Sequence, residues 1–132
     1  MGSTVRALLD TCVLLWLTQE PTKLSAGCRS AIDTPDVDLL VSHASVWEMA
    51  LKSQAGKLEF PTPLRRWLAD QRKEWQFDYV PITVEHILRT CEIERHHVDP
   101  FDRLLIAQAL VNDLVILTPD DMIARYPVQT VW

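Results

Sequence analysis

Two hydrophobic habits alternate along the chain: short apolar runs, and longer stretches whose apolar residues recur every three or four positions. The first habit predicts buried strands and the second predicts helices. Val5 to Leu9 is the first run, stopped at once by Asp10. Leu14-Leu15-Trp16-Leu17 follows as a helix, and Pro21 to Ala31 reads as a second one. Val37 to Val41 is the next strand. After it, Ser42 or Ser45 caps a helix with Ala44, Trp47, Ala50 and Leu51 on one face, and Gly56 is suited to the position just past its end. Pro61 and Pro63 introduce an amphipathic helix through Leu64, Trp67 and Leu68, with Arg65, Arg66, Arg72 and Lys73 toward solvent. Phe77 to Ile82 is a short strand, and Thr83 opens a helix through Ile87, Leu88 and Cys91.

The stretch from Asp99 to Ala109 carries more charge than a helix start needs. Asp99 reads as the N-cap, and Pro100 as the first helical residue, where its missing N–H costs nothing. Asp102 falls in the first turn, and Leu105, Ile106, Ala109 and Leu110 form the apolar face behind it. Asp99 with Asp102 also satisfies the spacing of a capping box. The strand Leu114 to Leu117 comes next, then a short helical turn from Pro119 and a last strand, Val128 to Trp132.

Strands that are continuous apolar runs, separated by helices, predict an α/β domain whose central, mainly parallel sheet is flanked by helices on both faces. The expectation is one domain over residues 1–132. Such folds bind ligands beyond the carboxyl ends of their strands. Asp10 ends the first strand, and Asp120 closely follows Leu114 to Leu117. Asp102 begins the helix that leads into that strand, and Glu48 begins the second turn of the helix after Val37 to Val41. Four carboxylates far apart in sequence therefore converge on one sheet edge.

Bulk properties narrow the chemistry. No apolar run approaches the ~20 residues of a membrane span, and no signal peptide is expected, because Asp10 follows Leu8 and Leu9 at once. Three widely spaced cysteines, Cys12, Cys28 and Cys91, fit neither a disulfide framework nor a zinc module. A reducing cytoplasm is the expected compartment. The net charge of −5 speaks against a nucleic-acid binder, but divalent cations held by clustered acids would reverse the local field.

Hard cations such as Mg²⁺ and Mn²⁺ take oxygen ligands, and a cluster of Asp and Glu without a His or Cys pattern suits them. Acids so close together resist full ionisation unless a cation joins them. Phosphodiester hydrolysis is the chemistry that most often uses such a centre.

Four motifs complete this reading: Leu9-Asp10-Thr11; Ser45-Val46-Trp47-Glu48 with Lys52 and Gly56-Lys57-Leu58; Asp99 through Ala109; and Thr118-Pro119-Asp120. Together, in order and over essentially the whole chain, they resemble the PIN-domain family, and within it the VapC-type ribonuclease toxins of toxin–antitoxin pairs. The resemblance implies a three-layer PIN-like fold and an endoribonuclease dependent on Mg²⁺, with Mn²⁺ able to substitute. It also implies an RNA substrate, a cognate antitoxin and a homodimer. Carried across by position, Asp10, Glu48, Asp102 and Asp120 are the catalytic, metal-binding acids, with Asp10 and Asp102 central. Thr11, Ser45, Asp99, Arg103 and Asp121 are auxiliary candidates. Cys12 departs from the histidine often found there, which suggests sensitivity to oxidation or soft metals.

Plainer readings stand beside these. Glu48 with Lys52 makes an ordinary i,i+4 ion pair. Thr118 with Asp121 forms a capping box, leaving Asp120 for the site. His96 and His97 read as solvated loop residues, and Arg103 either pairs with the acids or steers a phosphate. Arg65, Arg66, Arg72 and Lys73 read as a solvated face that is also the best candidate for following an RNA backbone. An aspartyl phosphotransfer domain would use Asp10 as nucleophile, yet Cys12 stands where its second acid belongs. A non-catalytic interaction module, whose acids only cap helices, is the other alternative.

Overall fold

The computed structural model describes residues 5–96 and 99–132. Met1 to Thr4, His97 and Val98 lie outside the described residues, and with them the expectation of His97 as a solvated loop residue.

Among the described residues a five-stranded sheet runs in the order β3-β2-β1-β4-β5, with each neighbouring pair parallel. The strands are β1 (Arg6–Leu9), β2 (Asp38–Ser42), β3 (Asp78–Val80), β4 (Val115–Leu117) and β5 (Thr130–Val131). Helices α1 (Thr11–Gln19), α2 (Ala26–Ile32), α3 (His43–Gln54), α4 (Leu64–Trp75), α5 (Val84–Thr90) and α6 (Pro100–Asn112) connect them.

The period-two geometry of a strand divides the core. Ala7, Leu9, Leu39, Val41 and Leu117 point to one face, where they meet Val13, Leu14 and Leu17 of α1, Cys28 of α2, Met49 of α3 and Trp67 of α4. Leu8, Leu40, Val80 and Ile116 point to the other, against Leu105, Ile106 and Ala109 of α6. With helices on both faces the sheet is the middle of three layers, as the uninterrupted apolar runs require.

Strand order reverses at β1, which pairs with β2 on one side and β4 on the other. Connections leave this point in opposite directions, which opens a crevice beyond the carboxyl ends of β1 and β4. The register Leu9↔Leu117 sets the two strand ends level, so Asp10 and Thr118 are the first residues past the sheet on adjoining strands.

Several local expectations change. The stretch read as one helix from Pro21 to Ala31 is a 3₁₀ turn, Pro21–Lys23, followed by α2, which Ser25 caps through Cys28 N–H. Ser42, rather than Ser45, caps α3, accepting from Ala44 N–H at 2.9 Å. The buried residues of α3 are Ala44, Ser45, Glu48 and Met49, whereas Trp47, Ala50 and Leu51 are exposed. In α5 the buried residue is His86, and Ile87, Leu88 and Cys91 face out. Gly56 closes α3 at φ +74°, the left-handed conformation that disfavours a side chain.

Candidate active site

Asp10 occupies the N-cap position of α1 without using its side chain as a cap. Its backbone N–H donates to Leu117 O at 3.1 Å, which continues the β1–β4 ladder past the strand end. The side chain is free to turn into the crevice, where Thr118 Oγ1 donates to Asp10 Oδ2 at 2.7 Å. Asp10 is only 7% exposed. Burial pushes its carboxyl above the ordinary range; the hydroxyl of Thr118 works against that shift, and the charges of Glu48 and Asp120 add to it. Two of the sequence-predicted acids thus act directly on Asp10.

Glu48 arrives from the second turn of α3 and is 8% exposed. Lys52 Nζ donates to Glu48 Oε2 at 2.8 Å. The i,i+4 pair read from the sequence therefore exists, but it lies at the crevice rather than on an open face. Glu48 keeps the Lys52 ammonium protonated beyond its usual range, chiefly by that hydrogen bond, with Asp99 and Asp102 adding their charges. Behind Glu48, Thr11 Oγ1 donates to Ser45 Oγ at 2.8 Å in a buried contact that ties α1 to α3.

Asp102 lies half-buried in the first turn of α6. Asp99 performs the capping, accepting from Phe101 N–H at 2.8 Å and Asp102 N–H at 3.4 Å. The partial positive charge of the helix start favours an ionised Asp102. Asp120 enters on the loop after β4, where its N–H donates to Thr118 Oγ1 and its Oδ1 accepts from Met122 N–H at 2.8 Å. The Thr118–Asp121 capping box does not form. Thr118 is turned toward Asp10 and Asp120, Asp121 is exposed, and the 3₁₀ turn Ile123–Arg125 has no side-chain cap.

Cys12 lies in the field of three of the four acids. Burial pushes its thiol up to about 12, and Asp10, Asp102 and Asp120 add to the effect. In the metal-free chain a thiol held protonated in this way is a poor nucleophile. The Arg103 guanidinium donates to the carbonyls of Thr90, Ile93 and Glu94 and to Tyr126 Oη at 3.4 Å, which fastens the segment before α6. His96 pairs with Glu94 at 2.8 Å and packs edge-on against Tyr126.

The basic residues of α4 divide. Arg65, Arg72 and Lys73 line a cavity of about 740 Å³ with Val46, Leu64, Leu68, Ala69 and Tyr79. Arg72 also stacks over Tyr79 at 4.9 Å. Arg66 instead faces Asp70 at 3.8 Å on the open side of the helix.

Sequence reasoning missed the role of Thr118. The signal was a hydroxyl directly after an apolar strand, but its meaning depends on β4 lying beside β1. Lys52 was seen only as a partner of Glu48, although its ammonium also lies in the field of Asp99 and Asp102.

A parallel α/β sheet with an acidic centre at its switch point defines the class of protein. Within that class the chain belongs to the PIN-domain family, whose family model matches residues 7–129. It is similar to Ribonuclease VapC22 of Mycobacterium tuberculosis, with 29% identity over 130 residues, covering 95% of this chain and 97% of the relative. Among solved structures it resembles VapBC2 from Rickettsia felis bound to a DNA fragment from their promoter, with a TM-score of 0.71 and 10% identity over 96% of this chain and 97% of that one. DNA-bound VapBC from Salmonella typhimurium matches at 0.68 and 14%, with 96% and 97% covered. At these identities the two structures speak for the fold alone.

Proposed function

We propose that the protein, acting as one unit over residues 1–132, is a metal-dependent endoribonuclease and the toxin of a toxin–antitoxin pair that restrains translation or growth. The carrying observation is the buried Asp10 carboxylate, which shares the switch-point crevice with Glu48 and Asp120 and whose charged form those neighbours disfavour. Such an arrangement calls for a cation. The family and the ribonuclease relative support RNA as the polymer cut.

The donor set suits Mg²⁺, with Mn²⁺ able to replace it, because every candidate ligand is a carboxylate oxygen. Among the described residues no three acid, histidine or cysteine side chains form a closed ligand set. Mg²⁺ does not require one, since it keeps several waters and takes one or two carboxylates directly. Asp10 and Asp102 would hold the ion, with Glu48 and Asp120 reaching it partly through water. A bound divalent cation supplies the charge that acidifies an attacking water and stabilises the phosphate in its transition state.

The remaining work falls to the chain. Thr118 orients Asp10, Lys52 holds one oxygen of Glu48, and Met122 N–H fixes Asp120. Likeness to the family implies in-line attack by water with the 3′ oxygen leaving, so that the products carry 5′-phosphate and 3′-hydroxyl ends. A cognate antitoxin that blocks the crevice and a homodimeric assembly complete the reading, with the cytoplasm as the site of action. Among the described residues no helix is long and apolar enough to cross a membrane.

Cleavage of a labelled RNA in Mn²⁺ or Mg²⁺ against EDTA tests the proposal. Wild type should cut only with metal, and Asp10→Asn and Asp102→Asn should lose both cleavage and Mn²⁺-dependent stabilisation on heating. Cleavage in EDTA, or undiminished cleavage by either variant, would overturn it.

A further inference from the structure

Helix α3 closes on the carbonyl of Lys52. Lys57 N–H donates to Lys52 O at 2.8 Å, Leu58 N–H reaches the same oxygen at 3.3 Å, and Gly56 N–H donates to Ser53 O at 3.1 Å. This closure uses the left-handed backbone of Gly56 at φ +74°. Lys52 and Gly56-Lys57-Leu58, grouped as one motif in the sequence, are therefore one device. It fixes the backbone of Lys52 one turn beyond Glu48.

The Lys52 side chain lies back along the helix toward the crevice. Its Nζ meets Glu48 Oε2 at 2.8 Å, and the charges of Asp99 and Asp102 reach it from α6. An ammonium has three donors, and Glu48 takes one. Asp99 turns its own oxygen to Phe101 N–H and Asp102 N–H. The Lys52 side chain is 47% exposed, so its ammonium stands between a buried acid and open solvent. Holding Glu48 does not call for such a residue. Thr118 holds Asp10 with a short, buried hydroxyl, whereas a half-exposed lysine on a flexible stem orients a carboxylate weakly. A long, reachable ammonium suits an anion that arrives from solvent.

The charge of the site says which anion. Four carboxylates with one divalent cation remain net negative and repel an approaching phosphodiester, and a fixed cation beside its path offsets that repulsion. We propose that the Lys52 ammonium is a substrate-binding group that bridges Glu48 Oε2 and a non-bridging oxygen of an RNA phosphate lying in the crevice between α3 and α6. The proposal rests on the ribonuclease reading and adds to it a contact on the substrate strand. That contact is to phosphate alone, so it carries no preference for base.

RNA binding by the Asp10→Asn protein, followed by fluorescence anisotropy, tests this without cleavage. Adding Lys52→Met should weaken binding about tenfold and lower the salt dependence by about one unit of slope, equally for unrelated sequences. Lys52→Arg should keep most of both, because a guanidinium also grips phosphate. In the otherwise wild-type chain Lys52→Met should raise KM more than it lowers kcat. Mn²⁺-dependent stabilisation should be retained, since the ammonium and the ion compete for the same acids. A residue that only oriented Glu48 gives the opposite pattern: RNA binding and salt slope unchanged, with kcat reduced and the Mn²⁺ effect weakened. That pattern would overturn the proposal and leave the nuclease reading standing. Failure of every variant to bind RNA, with the circular dichroism of the folded chain intact, would overturn both.

Discussion

At the residue scale the site turns on Asp10 and Thr118. Asp10 was legible in the sequence, because an acid that stops an apolar strand has little structural reason to be there. The raised carboxyl of Asp10 means that the folded, metal-free chain keeps a proton that the unfolded chain has released. This group therefore favours the fold at low pH. Its contribution declines as pH rises from the ordinary carboxylate value of 3.8 through the raised one. In EDTA at neutral pH, Asp10→Asn should consequently melt above wild type, on the order of a few degrees, and a lower melting temperature by scanning calorimetry would count against this. Mn²⁺ should stabilise wild type more as pH rises, since the ion binds the ionised carboxylate. Thr118→Val removes a buried donor to Asp10 and the acceptor for Asp120 N–H, so it should cost about 1–3 kcal/mol and weaken Mn²⁺ binding about 10–100-fold. A Mn²⁺ titration followed by melting measures both effects.

At the element scale two acids in one helix start do different work. Asp99 accepts the N–H groups that open α6, while Asp102 sits inside the turn that Asp99 caps. Asp99→Ala should lower stability by about 1 kcal/mol, and Asp99→Ser should recover most of it, because serine caps nearly as well. Asp102→Ser should instead leave stability nearly unchanged and abolish cleavage. Urea unfolding and RNA cleavage on the three variants separate the roles. Helix α3 shows the limit of pattern reading. Of the apolar face read from its spacing, Trp47 and Leu51 are exposed, while Ser45 and Glu48 are buried. Periodicity locates a stripe but cannot say whether core, crevice or another chain covers it.

At the scale of the whole molecule the net charge of −5 opposes RNA, and two local features offset it. One is the acid centre, whose field the proposed cation would reverse. The other is the cavity along α4, where Arg65 and Lys73 stand beside Arg72. Arg65→Ala and Lys73→Ala should weaken RNA binding by the Asp10→Asn protein with little dependence on sequence. Each should also reduce the salt dependence by about one unit of slope. Fluorescence anisotropy across a salt series measures this, and an unchanged slope in both variants would remove α4 from the RNA path.

The sequence by itself determined the order of elements, the parallel sheet between helical layers, the Asp99 cap and the four acids that reach one edge. These follow from short-range rules: strand and helix periods, capping stereochemistry, and the rule that ligands gather at strand carboxyl ends. Only the tertiary structure decided that Thr118 grips Asp10, that Arg103 fastens a loop, that Lys52 lies at the crevice, and that the apolar faces of α3 and α5 look outward. Each of those depends on which strands are neighbours and what covers each face. Contacts made across more than a hundred residues, such as Thr118 to Asp10, leave no periodic trace in the chain that makes them.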